Sequence, residues 1–463
     1  MSLLQILREP VLADTRRNLA RSWARVPSAL RGPRQMLGRG GNGCGATIGL
    51  LPRCDFACVG CYLGADANRT PPAPLEEIKA QLRVLRPTLG NAGNLQVTDG
   101  EATLRPVEDL IELLRYARSL NLIPMLMTHG DSFRRRPDLL ERLVREGGLV
   151  ELSIHIDTTQ RGRLGPEYRS ARSEEELMPL RDEFVALVRE VERRTGRKLR
   201  VATTMTVTAD NLAGVPAVMR WLAGTTDAFR LISFQPIAQV GRTEPGLGGA
   251  VSPEALWARV AEGLYGIADA DEGRQILARG YVHLGHPDCT RYLPGMVIRN
   301  GNAPARFHPV RLDGDAASMR FFDGFLDRFG GVSFRLDAPL ERLARMLGLA
   351  WQAPRFVLGN LGPFLLHWLR RGDARHPIRF AIRLVTGRAR LQPLVIVSHH
   401  FMSRAETETP LGQERLDLCV FHVPIDGTLM PMCQVNTGGA RDAVYAQLAR
   451  SGTTQLTPRQ EMS

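Results

Sequence analysis

Between residues 44 and 245 short apolar runs alternate with longer amphipathic ones, and this alternation narrows the available folds more than any other feature of the chain. Strand-like runs fall at 46–51, 95–98, 123–128, 150–156, 201–207 and 231–236, and helix-like stretches fall at 75–85, 106–120, 137–146, 173–194 and 212–222. Pro106 and Pro137 suit the first turn of a helix, where the missing N–H would have no helical partner. Strand–helix units in series give a parallel sheet under a helical outer layer, because each crossover must pack back onto the sheet. Six units are too few to close an eight-stranded barrel. The expected fold is therefore α/β, an open (β/α)6 partial barrel with its chemistry at the C-terminal ends of the strands.

The loop after the first run carries Cys54, Cys58 and Cys61 in the spacing C-x3-C-x2-C. Three thiolates this close can hold three irons of a cubane [4Fe–4S] cluster and leave the fourth iron open. A zinc knuckle would want a fourth Cys or His at finger-like spacing, and Tyr62-Leu63-Gly64-Ala65 offers none. The other cysteines are Cys44, Cys289, Cys419 and Cys433, the number that saturates one additional cluster. Each can also be read as a small buried hydrophobe; without Cys44 the additional cluster would have an open iron or take the nearby His286 or His422 in its place. Seven cysteines, an odd count, argue against a disulfide framework. Iron–sulfur ligation needs reduced thiols, which points to the cytoplasm.

Other polar groups fall at strand ends. Asp99-Gly100-Glu101 follows the second strand, Thr128-His129-Gly130 the third, and Phe234-Gln235-Pro236 ends the sixth. Ser153, His155 and Asp157 alternate along the fourth and share one face, where polar side chains need a partner or a ligand. The cysteine run resembles the signature of the radical S-adenosylmethionine (SAM) superfamily, in which SAM occupies the open iron. The resemblance implies that Glu101 accepts from the SAM ammonium in a loop that usually reads Gly-Gly-Glu. Asp99 replaces the first glycine here, Gly100 keeps the close backbone approach, and both count among the SAM contacts that the resemblance implies. It further implies SAM carboxylate or ribose contacts from Ser153 and His155, and an adenine-side position for Gln235. Beyond the cluster ligands it assigns no catalytic residue.

A narrower resemblance is to enzymes similar to archaeal tetraether lipid synthase. It rests on Phe234-Gln235-Pro236 followed by Gly241-Arg242, on Cys44 placed ten residues before Cys54, and on the passages around Cys419-Val420-Phe421-His422 and Asp426-Gly427 to Cys433-Gln434-Val435-Asn436. It covers about residues 44–437 and lacks the cysteine-rich, rubredoxin-like segment of the archaeal enzymes. It implies that Cys44, Cys289, Cys419 and Cys433 hold a second [4Fe–4S] cluster. It also implies that a 5′-deoxyadenosyl radical takes hydrogen from an unactivated C–H bond of a membrane lipid or long alkyl chain, leading to C–C bond formation. A reducing partner such as flavodoxin or ferredoxin would supply the electron. The alternative within the superfamily is a peptide maturase or a pterin-type methylating enzyme. A zinc-binding nucleic-acid module is the reading outside it.

Charge adds a surface to this picture. The net charge is +12, which favours an anionic partner. Residues 1–34 and 341–388 mix Leu, Trp and Phe with many arginines, a pattern that suits peripheral contact with an anionic membrane at its inner face. Nothing resembles a helix-turn-helix, RRM or OB-type nucleic-acid module. No run is long and apolar enough for a transmembrane helix, and residues 1–30 have no signal-peptide core. The expected organisation is a basic amphipathic segment at 1–43, the partial barrel at 44–245, a mostly helical cap at 246–390, and an auxiliary-cluster region with a polar, frayed tail from Ser451 at 391–463.

Overall fold

A computed structural model describes residues 2–249 and 251–455. Eleven strands make one sheet: β1 (Cys44–Ala46), β2 (Gly93–Val97), β3 (Leu122–Thr128), β4 (Glu151–His155), β5 (Arg200–Val207), β6 (Phe229–Pro236), β7 (Thr290–Asn300), β8 (Arg306–Pro309), β9 (Ala389–His399), β10 (Phe421–Ile425) and β11 (Thr428–Pro431). Their spatial order is β11-β10-β1-β2-β3-β4-β5-β6-β9-β7-β8. Strands β1 to β6 are parallel and in sequence order, so the six-unit core stands as expected. The sheet curls but stays open, with β11 and β8 as its two ends.

The core extends at both flanks. β9 adds parallel to β6, and β10 adds parallel to β1. Antiparallel β7 and β8 finish one side and antiparallel β11 the other. β7 and β8 lie within residues 246–390, where six long helices otherwise dominate. Crossover helices cover the outer face through stripes set by the 3.6-residue period. In Leu75–Leu89, for example, Ile78, Leu82, Leu85 and Leu89 are buried together.

The first strand is shorter than its hydrophobicity predicts. The apolar run at 46–51 leaves the ladder after Ala46: the Ile48 N–H donates to Gln81 Oε1 (2.9 Å), its carbonyl accepts from Gln81 Nε2 (2.8 Å), and Gly49 at φ +74° turns the chain away. Ile48 and Leu50 are buried all the same, as loop residues: Ile48 joins a cluster with Val423, Ile425 and Val435, and Leu50 joins the main core. At the other end, the helix Ala440–Gln455 runs through Ser451, so the expected fraying does not begin there. The remainder of that tail, from 456, lies outside the described residues.

Candidate functional site

Cys54, Cys58 and Cys61 sit on a loop at the C-terminal ends of the parallel strands, and all three line one cavity. Two other loops cradle this one by backbone bonds. Ala57 and Val59 donate to the carbonyls of Arg161 and Thr159 (2.9 and 3.0 Å), and Arg242 and Glu244 donate to those of Cys61 and Val59 (2.8 and 2.9 Å). Gly241, at φ +54°, allows the second approach: a Cβ there would stand 2.5 Å from the Tyr62 backbone. The next residue, Arg242, donates through Nη2 to Cys61 Sγ at 3.4 Å, and the Phe56 N–H reaches Cys54 Sγ at 3.4 Å.

This donor set fits an iron–sulfur cluster. Burial pushes the Cys54 thiol above its ordinary range, and it pushes Cys58 up to about 12, with Cys61 and Asp157 adding to the effect. Such thiols ionise only beside a strong positive charge, and a cluster supplies that charge. Among the described residues the one tight set of ligand atoms, within 4.8 Å of one another, is Cys54, Asp55 and His129. Asp55 and His129 are already bonded to each other at 2.8 Å, and Asp55 also accepts from Arg135 at 2.7 Å. Cys54, Cys58 and Cys61 do not form such a tight set, which suits thiolates that each bind a different iron.

The Asp99-Gly100-Glu101 loop divides its labour. Glu101 lines the cavity, and its carboxylate accepts from Thr128 Oγ1 at 2.6 Å and from the His129 N–H at 2.8 Å. Gly100, at φ +81°, presses against the carbonyls of Leu51 and Arg53, where a Cβ would stand 2.2 and 2.3 Å away. Asp99 faces the other way. It is fully buried at φ +105°, and its carboxylate is held by the Gly49 N–H, by Tyr445 (2.9 Å) and by an ion pair with Arg441. Its side chain therefore does not reach the cavity, in contrast to the expectation of a SAM contact. The φ explains the glycine usual at this position, and the buried pairing explains how an aspartate can occupy it.

The face of β4 is similarly divided. His155 lines the cavity and bonds Asp157 Oδ2 at 2.6 Å and Thr206 Oγ1 at 3.2 Å. Asp157 is an anchor, accepting from the backbone N–H groups of Thr159 (2.8 Å) and Thr206 (2.7 Å). Ser153 sits one layer deeper, bonded to Thr204 Oγ1 at 3.0 Å, and lines the barrel lumen rather than the cysteine cavity. Gln235 lines both spaces. The lumen runs on past Gln96, Met127 and Thr204 to the opposite end of the barrel, at Ser333 and Arg335.

Several supporting residues escaped the sequence reading. Arg163, essentially buried, donates to the His129 carbonyl (2.6 Å) and to that of His155, tying the ends of β3 and β4 together. The His129 ring stacks on Phe56 with centroids 3.8 Å apart. Arg441 lies 4.7 Å from the Tyr62 ring centroid while pairing with Asp99, so the C-terminal helix backs the cysteine loop. The signal for Arg441 was indirect: an aspartate where glycine is usual demands a cation somewhere.

The remaining four cysteines come from distant points of the chain to one region. Cys44 begins β1, Cys289 precedes β7, Cys419 precedes β10, and Cys433 lies in the helix Met432–Thr437. Burial pushes Cys44 up to about 12, and the charge of Cys419 pushes in the same direction. Cys433 is pushed up to about 12 by burial, then by Cys419 and Cys289. Backbone bonds draw their segments together: the Cys44 N–H donates to the Val420 carbonyl and the His400 N–H to the Cys289 carbonyl, both at 2.9 Å. Arg415 donates to Cys289 Sγ at 3.4 Å, and the Met402 N–H points at Cys433 Sγ at 3.5 Å.

Residues 48–222 match the family model described as the radical SAM superfamily, and that span holds the cysteine loop, Glu101 and His155. The chain carries a radical SAM domain. Over 200 residues it is 26% identical to 7,8-dihydro-6-hydroxymethylpterin dimethyltransferase of Methanocaldococcus jannaschii, a match over 43% of this chain and 37% of that protein. The chain thus spans little more than a third of that relative's length. The structure of Streptococcus suis SuiB bound to S-adenosylmethionine resembles 50% of this chain and 48% of its own, with 15% identity and a TM-score of 0.33. The FeFe-hydrogenase maturase HydG from Carboxydothermus hydrogenoformans resembles 82% of this chain and 93% of its own, with 12% identity and a TM-score of 0.32. No described helix is long and apolar enough to cross a membrane.

Proposed function

We propose that this protein is a radical SAM enzyme acting on an unactivated C–H bond of a membrane lipid or other long alkyl chain, with C–C bond formation as the outcome. The observation that carries the reading is the convergence of Cys54, Cys58 and Cys61 on one cavity with Glu101, His155 and Gln235. When bound there, a [4Fe–4S] cluster and SAM supply, on one-electron reduction, a carbon radical able to take hydrogen from such a bond. The three cysteines hold the cluster. Glu101, fixed by Thr128 and the His129 N–H, accepts from the SAM ammonium, and His155 and Gln235 orient the rest of the cofactor. Phe56, Ile237 and Phe401 give the cavity apolar walls that exclude water from a reactive species. The lumen beyond Gln235 gives an elongated substrate somewhere to lie.

Cys44, Cys289, Cys419 and Cys433 hold a second [4Fe–4S] cluster in this reading, because four soft thiols from four elements are a donor set for iron–sulfur ligation. A flavodoxin- or ferredoxin-like donor supplies electrons, and the protein works in the cytoplasm, at the inner membrane face. The similarity to the pterin dimethyltransferase favours a second reading, methylation of a pterin-like carbon. Anaerobic assays of cluster-loaded protein with SAM and reductant separate the two. 5′-Deoxyadenosine release stimulated by polar lipid extract, with a new lipid mass, supports the first reading; stimulation by a pterin supports the second. No cleavage by protein confirmed to hold its clusters would sink both.

A further inference from the structure

Three consecutive helices turn apolar stripes outward. In Pro339–Gln352 the residues Leu340, Leu343, Leu347 and Trp351 share one face by helical spacing, and all are exposed, Trp351 by 84%. In Pro354–Gly372 the same holds for Leu358, Leu361 and Leu365, with Leu358 83% exposed. In Pro377–Val385 it holds for Ile378, Ile382 and Val385, with Val385 90% exposed. The opposite faces carry the packing through Leu349 and Phe356 in one core cluster and Phe380 in another, while Trp368, in line with Leu361 and Leu365, ends the middle stripe by burying against β7 and β9. These helices are therefore apolar on the solvent side as well as toward the protein, the reverse of an ordinary surface helix.

The stripes are rimmed by one sign of charge. Glu341 and Asp373 are the only acids between 339 and 390, whereas Arg342, Arg355, Arg375, Arg379 and Arg388 are exposed there. We propose that this face is the docking surface of the protein on an anionic lipid bilayer, with the leucine, isoleucine and tryptophan tips in the acyl boundary and the arginines at the headgroups. A second copy of the chain is a poor occupant, since it would bring arginine against arginine. Nucleic acid would leave the aliphatic tips uncovered. The far mouth of the lumen, at Ser333 and Arg335, lies immediately before the first of the three helices. Docking here sets that mouth beside the bilayer; this link rests on the lipid reading above, whereas the surface stands on its own observations.

The test is cosedimentation of the cluster-loaded protein with phosphatidylcholine vesicles, with and without phosphatidylglycerol. Binding is expected to rise at least about tenfold with phosphatidylglycerol and to fall with added salt. The triple variant Trp351→Ser, Leu358→Ser, Val385→Ser should lose at least about tenfold of that binding while keeping its melting temperature, because these side chains are almost fully exposed. Unchanged binding by the triple variant overturns the proposal. So does a wild-type dimer that the variant converts to monomer when neither binds vesicles. Vesicle binding without lipid turnover would overturn the substrate reading and leave the docking surface standing. Turnover of micellar lipid without vesicle binding would do the opposite.

Discussion

Gly241 and the pair Arg441–Asp99 show how tightly the cysteine loop is built. Gly241→Ala places a Cβ 2.5 Å from the Tyr62 backbone at φ +54°, so the loop must shift. The expected result is a loss of more than about 1 kcal/mol in denaturant unfolding and less iron retained at the loop, read by iron analysis. Arg441 and Asp99 form a buried pair in which each justifies the other. Arg441→Met leaves a carboxylate buried without its cation and should cost about 3–5 kcal/mol. Adding Asp99→Gly to that variant removes both the stranded charge and the positive-φ strain, and should restore part of the loss in urea unfolding. A double variant no more stable than Arg441→Met would show that the pair is not the anchor. The sequence displayed Asp99 as an oddity in a glycine position but could not show its partner, because the pairing spans 342 residues.

At the scale of elements, the six parallel strands were legible as short apolar runs, buried along nearly their whole length in β4 and β5, and the crossover helices by their periodic buried stripes. The short β1 was not, because Ile48 and Leu50 are equally apolar whether they sit in a ladder or in a loop. Nor were β7, whose alternation is interrupted by Pro294 and Gly295, and β8, which is only four residues long. The side chains at the site were legible as a set of polar strand ends. Which of them face the cavity was not, since Asp99 and Asp157 are turned into anchors by neighbours on other elements. Cys433→Ala should remove the proposed second cluster while leaving the first, so iron falls by one cluster's worth and 5′-deoxyadenosine release survives in part. Loss of all iron would mean that the quartet is not a separate site. On β8, burial and the charges of Arg371 and Arg306 lower His308 to about 4. Its ordinary value is near 6.5, so the unfolded chain binds a proton that the folded one refuses. The stability this group confers is full above about pH 6.5 and declines toward pH 4. His308→Gln should flatten that part of a stability–pH curve measured by urea unfolding, and an unchanged slope would refute the assignment.

For the molecule as a whole, the sheet joins stretches that the sequence divides. β9 and β10 come from residues beyond 388 yet lie against β6 and β1, the two edges of the six-strand core. A fragment comprising residues 44–245 alone would expose both edges as unpaired ladders. It is expected to aggregate on expression, while the full chain elutes in a single peak on size exclusion. A soluble, cluster-binding fragment would show that the flanking strands are dispensable.

The pairing of Asp99 with Arg441 also sets an order of events during synthesis. A ribosome releases the cysteine loop long before it has made the helix that backs it, and every parallel neighbour of β1 and β6 on their outer sides arrives in the same late interval. The nascent loop is consequently open to solvent and oxidants while translation continues. Under the proposed function, metal delivery to Cys54, Cys58 and Cys61 belongs before the helix Ala440–Gln455 is made and closes over the loop, or requires that helix to open again.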